Sequence, residues 1–184
     1  MADHTAAFDR RDLMRGLMAL VGAGALGVPG LSFAEAVAGE GYFTPARRAV
    51  LEHLSGAIIP QTDTPGAREA GVPGYIDALI ANWAGTDTRA MFDGALDAID
   101  AWSRDKAGKG LAELAPADLD TVVAAYDADA FSRGDWPYRR LKDLIVTTYY
   151  TTEAGATQEL RYELAPGVWE ASIPADASTR CWAV

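Results

Sequence analysis

Cysteine and histidine are nearly absent from this chain of 184 residues, which has one Cys and two His. Cys181 alone cannot close an internal disulfide, so the fold is expected without a covalent staple. It is read as incidental rather than as one arm of an intermolecular bridge. No Cys-x-x-Cys-His occurs, so the chain is expected to attach no c-type haem. His4 and His53 stand far apart, with no His-Glu-x-x-His and no Glu-x-x-His, which removes the usual zinc and di-iron spacings. His53 is read as a structural or surface residue. No serine has a nucleophile-elbow setting. No metal-ligating, cofactor-binding or catalytic residue is therefore singled out. Basic residues are also scarce: residues 39–184 carry 13 against 22 acidic side chains, a net charge of −9. Such a surface repels a polyanion, so nucleic acid is not expected as a partner. Beyond the N-terminal region no run approaches 18 apolar residues, so nothing downstream is long enough to span a bilayer.

What is present starts at the N-terminus. Arg10-Arg11 precedes Gly16 to Leu31, a run of 16 residues without a charge, and small residues follow at Ala34-Glu35-Ala36 and Ala36-Val37-Ala38. This pattern reads as a twin-arginine export signal over residues 1–38. As a helix the run would be about 24 Å long, short of a roughly 30 Å hydrocarbon core. Its five glycines and Pro29 also make it a poor core helix. Gly22-Ala23-Gly24-Ala25-Leu26-Gly27 matches a dinucleotide fingerprint, but it has no strand before it and no amphipathic helix after it. It is read as an accident of the leader.

Residues 39–184 form one expected domain, all-α, a bundle of about five helices followed by an extended arm over 166–184. Thr44-Pro45 caps the first helix, with Val50, Leu51, Leu54 and Ile58 at helical spacing and Pro60 ending it. Val72-Pro73 starts a second, whose apolar face is Ile76, Leu79, Ile80 and Trp83. Thr86 or Asp87 caps a third, with a stripe at Phe92, Ala95, Leu96, Ile99 and Trp102. Its Asp93, Asp97 and Asp100 row is read as a solvated face rather than an acid/base or metal site. Arg104 to Gly110 is expected to be a loop. Pro116 opens a fourth helix and Trp136-Pro137 a fifth, broken at Thr151 to Ala156, with a short turn expected near Thr157 to Tyr162. The cluster Arg139, Arg140 and Lys142 is read as solvated rather than as a binding patch.

Two stretches are more specified than a core requires. In Pro60 to Ala67, Asp63 and Thr64 are expected to satisfy backbone donors and cap a turn at Pro65. In Tyr149 to Leu160, polar side chains gather at a helix break, and an internal brace and a partner surface both remain open.

Taken together, Arg10-Arg11, Phe43-Thr44-Pro45 through Ala67 and Gly71-Val72-Pro73, and Tyr149 to Leu160 resemble the gluconate 2-dehydrogenase subunit 3 family. The resemblance implies a non-catalytic small subunit of a periplasmic dehydrogenase that oxidises a sugar or glycoside. On that reading the FAD, the substrate site and the catalytic histidine sit in a separate large subunit of the glucose–methanol–choline type. Electrons would pass to a haem c subunit or another acceptor, and the complex could associate with the membrane. The small subunit would stabilise the flavin subunit and carry the signal, read by the twin-arginine translocase, for both. Aromatic residues outside the expected core make Tyr149, Tyr150, Trp169 and Trp182 the candidate contacts with that partner. A stand-alone exported helical enzyme or ligand-binding domain is the alternative, and it requires a convergent polar pocket.

Overall fold

A proline in the first turn marks the start of four of the five α-helices among the described residues, and the third alone begins behind Gly85, without the side-chain cap expected of Thr86 or Asp87. The computed structural model describes residues 41–163, 167, 172, 174–176 and 179–183. The proposed leader with Arg10 and Arg11, and Trp169 in the arm, lie outside the described residues. Helix α1 is Pro45–Ile58, with the Thr44 hydroxyl accepting from Arg47 N. Helix α2 is Val72–Trp83, with Pro73 in its first turn. Helix α3 is Thr86–Ala107, and a 3-10 turn at Leu111–Glu113 leads to α4, Pro116–Ser132. Helix α5 is Trp136–Thr151, where the Asp135 carboxylate accepts from Tyr138 N. A π turn at Gly155–Glu159 completes the helical elements. Among the described residues there is no strand, only an isolated parallel bridge between Arg161 and Trp182.

Helices α1 and α5 are central, each packing against the other four. Their stripes, Val50, Leu51 and Leu54 on α1 and Tyr138, Leu141, Ile145 and Tyr149 on α5, meet Ile76, Leu96, Ile99 and Leu111 in one buried cluster. Removing a leucine from such a site costs about 2–5 kcal/mol, because the lost burial is joined by an unfilled cavity. Tyrosine is tolerated in this core because its hydroxyl finds a partner: Tyr138 donates to Asp127 at 3.0 Å.

Several expectations change. Arg104 to Gly110 is mostly helix: Arg104 bonds Asp100 one turn back, and α3 stops only at Gly108, whose φ of 72° is left-handed. The Asp93, Asp97 and Asp100 row is a tie between elements rather than a solvated face. Arg47 on α1 reaches Asp93 at 3.0 Å and Asp97 at 2.6 Å. Tyr42 donates to Asp93, and Asp100 accepts Leu111 N at 2.8 Å. On α2, Ile76 and Ile80 are buried but Leu79, at the edge of that face, and Trp83, the last residue of the helix, face solvent. Asp77 on α2 is buried and accepts Phe43 N at 2.8 Å, which holds the entry segment against the helix.

Candidate functional site

The two over-specified stretches are 82 positions apart at their nearest ends, yet the fold brings them together where α5 ends. Tyr149 donates its hydroxyl to the Pro65 carbonyl at 2.8 Å. Thr64 donates to the Glu159 carboxylate at 2.7 Å. The loop's own donors are met by threonine: Thr64 N bonds the Thr62 hydroxyl, and Thr62 N bonds the Thr64 carbonyl. Among the described residues Asp63 accepts only the Thr62 hydroxyl, so the expected capping role of Asp63 and Thr64 is corrected. Thr62 can do this work because its hydroxyl is close to its own backbone, which frees Thr64 to reach across.

The helix break is equally crowded. Thr152 is buried, and its hydroxyl donates to the Tyr149 carbonyl at 2.6 Å while accepting Gly155 N at 3.1 Å. A Cβ on Gly155 would lie 2.8 Å from the Tyr149 carbonyl carbon and 3.0 Å from Tyr150 Cα. Only glycine allows the chain to fold back so closely on the last turn of α5. Leu160 N then bonds the Gly155 carbonyl, closing the π turn.

The C-terminal segment returns to the same place. Arg161 N bonds the Cys181 carbonyl at 2.8 Å, and Ala183 N bonds the Arg161 carbonyl at 2.9 Å. The Arg161 guanidinium lies 4.2 Å from the Trp182 ring centroid, a stacked cation–π contact. Arg180 donates to the Thr157 and Gln158 carbonyls, capping the π turn with a positive charge. Cys181 is exposed beside these contacts.

The proposed contact residues separate accordingly. Tyr149 is 1% exposed and cannot be touched by a partner surface. It continues the buried series Tyr138, Leu141 and Ile145 at helical spacing, a signal already present in the sequence. Its neighbour Tyr150 projects about 100° away on the helix, at 3.6 residues per turn, and is 40% exposed. Trp182 is exposed as well, and so is Tyr162, which the sequence reading did not select. Tyr162 follows the π turn directly, and its place outside any helical stripe was the available signal. Burial pushes the Tyr149 phenol above its ordinary value, Glu159 and Tyr150 push the same way, and the Thr64 contact opposes them. Tyr149 therefore stays a neutral donor to Pro65, suited to bracing and unsuited to removing protons.

Elsewhere, His53 is spent on its own helix, its Nδ1 bonding the Ala49 carbonyl at 2.8 Å. Among the described residues no three His, Cys, Asp or Glu side chains are grouped to hold a metal ion. No helix among them is long and apolar enough to cross a membrane. The two stretches joined here, Pro60 to Ala67 and Tyr149 to Leu160, lie within a longer match: the family profile described as gluconate 2-dehydrogenase subunit 3 covers residues 45–167. Comparisons with curated proteins and with solved structures each found no match.

Proposed function

This chain belongs to the gluconate 2-dehydrogenase subunit 3 family, and from that premise we propose that it is a non-catalytic small subunit of a periplasmic FAD-dependent sugar or glycoside dehydrogenase. It stabilises a large flavin subunit of the glucose–methanol–choline type and escorts it through twin-arginine export. FAD is held by that partner, and haem c, where the complex uses it, by a third subunit. The observation that carries the reading is how the shared stretches are used. Tyr149, Thr152, Gly155, Thr64 and Glu159 spend their polar groups on one another and on backbone, and leave a rigid scaffold with Tyr150, Tyr162 and Trp182 on its surface.

The export role follows from chemistry. A flavoprotein acquires FAD before export, so it must fold in the cytoplasm and cross folded. A small subunit bearing Arg10-Arg11 supplies the signal for both chains. Co-expressing the tagged chain with a flavin oxidoreductase that is encoded beside it and lacks a signal of its own tests the assembly. The reading expects a stoichiometric complex with flavin absorbance near 450 nm and sugar oxidation by an artificial acceptor. Sugar oxidation by the purified small subunit alone would contradict it.

A further inference from the structure

From Tyr150, beside the brace, an exposed surface runs back along α5 to Trp136. Trp136, Arg140, Asp143, Thr147 and Tyr150 are all exposed at a spacing of three or four that places them on one face, with exposed Arg139 at its edge, three residues after Trp136. The stripe is about 21 Å long at 1.5 Å per residue. Two grooves flank it and meet on Arg140 and Asp143. One, of about 590 Å³, has walls from Leu79, Trp83, Met91, Phe92 and Leu144. The other, of about 350 Å³, lies between Phe131, Trp136 and Val146. Of the seven exposed large hydrophobic side chains among the described residues, five (Leu79, Trp83, Phe131, Trp136 and Tyr150) stand on this stripe or its grooves. That concentration is unlike the scattered apolar residues of an ordinary surface.

The charge is also of unusual sign. Arg139, Arg140 and Lys142 fall within four residues in a chain of net charge −10. They are held over aromatic rings: Arg139 is 4.9 Å and Lys142 5.1 Å from the Phe131 centroid, and Arg140 is 5.6 Å from that of Trp136. Lys142 is also paired with Asp127 at 2.6 Å and Arg140 with Asp143 at 3.4 Å. Arg139 has no ion pair among the described residues.

We propose that this stripe and its two grooves are a docking face for the flavin subunit, which presents apolar side chains flanked by carboxylates. The proposal rests on the family-based function above and gives it a place on the molecule. Concave apolar walls suit protruding side chains of another protein, and the exposed Arg139 and Arg140 select an acidic surface around them. A symmetric dimer with its two-fold axis at this cluster would set the α5 cations against their copies. An anionic bilayer would meet a body whose net charge over residues 39–184 is −9.

The test uses the full chain and the flavin subunit that copurifies with it, with affinity measured by interferometry. Arg139→Glu with Arg140→Glu, and separately Trp83→Ala and Trp136→Ala, are each expected to weaken binding at least about tenfold, as for central interface anchors. Lys109→Glu, an exposed reversal just past the C-terminal end of α3, is expected to change it less than about twofold, the level of an isolated surface charge. Circular dichroism on each variant confirms native helicity, since these side chains are exposed. Wild-type affinity in all three face variants overturns the docking face and leaves the assembly reading standing. A wild-type chain that binds no flavin subunit removes both. Loss of self-association or of anionic-vesicle binding in the variants, with flavin-subunit binding intact, also overturns the proposal.

Discussion

Replacing Gly155 by alanine isolates the closest approach in the brace. In an ordinary helix interior this change stabilises by about 1 kcal/mol, because glycine has the greater backbone freedom to lose. At Gly155 the sign reverses. The added methyl would stand 2.8 Å from the Tyr149 carbonyl carbon, and the neighbours it meets are backbone, which no rotamer change can move aside. Relief requires shifting the last turn of α5 or the π turn, at an overpacking cost of about 1–3 kcal/mol. The shift also stretches the bonds from Thr152 N and its hydroxyl to the Tyr149 carbonyl, at 2.9 and 2.6 Å. Each such bond contributes about 1 kcal/mol net. A destabilisation of about 3 kcal/mol lowers the melting temperature of a domain this size by roughly 6–12 °C. Thermal circular dichroism on the purified chain reads the fall. Hydrogen exchange at the Leu160 amide, bonded to Gly155, reports whether the loss is local. A variant melting within about 2 °C of wild type, or above it, would refute the claim that the π turn is packed against α5.

Asp77→Ala removes the acceptor of Phe43 N and the partner of Arg48 at 3.3 Å, and leaves the Phe43 donor unpaired. It is expected to cost about 1–3 kcal/mol in urea unfolding, whereas an unchanged midpoint would show the entry segment held by other contacts. Alkaline pH should also weaken the fold. Burial first, then the Asp127 carboxylate, pushes the Tyr138 phenol far above its ordinary value, and burial raises Tyr126 in the same direction. Groups raised in this way stabilise fully below their unfolded value near 10, and that stability declines as pH climbs beyond it. Urea midpoints between about pH 8 and 11, bracketing that value, should fall for wild type and fall less steeply for Tyr138→Phe. Parallel curves would show that Tyr138 ionises as freely folded as unfolded.

Local chemistry was legible in the sequence, and partnership across the chain was not. Thr44-Pro45, Pro116 and Asp135-Trp136-Pro137 mark helix starts through their own backbone preferences, and α1, α4 and α5 begin there. Arg47 lies 46 positions or more before the aspartates it binds, so nothing nearby distinguishes Asp93 and Asp97 from solvated carboxylates. The same distance hid the brace: the crowding of polar residues in Pro60–Ala67 and Tyr149–Leu160 was visible, while Thr64–Glu159 and Tyr149–Pro65 required the fold. Tyr149 was open to reading, since Ile145 and Leu141 precede it at four and eight residues and continue one buried stripe. Leu79 and Trp83 keep helical spacing with Ile76 and Ile80, and periodicity alone does not reveal that, among the described residues, the cover thins at the edge of that face and at the last residue of α2.

The central claim is that this chain carries its partner out of the cytoplasm, and one fractionation measures it. Arg10→Lys with Arg11→Lys is introduced in the full chain, co-expressed with the signal-less flavin subunit, and FAD-loaded enzyme is assayed in periplasm and cytoplasm. Active flavin subunit, periplasmic with the wild-type chain, is expected to be retained in the cytoplasm as an intact complex with the variant. Flavin subunit reaching the periplasm in equal amount with the variant, or with no small subunit at all, would contradict it.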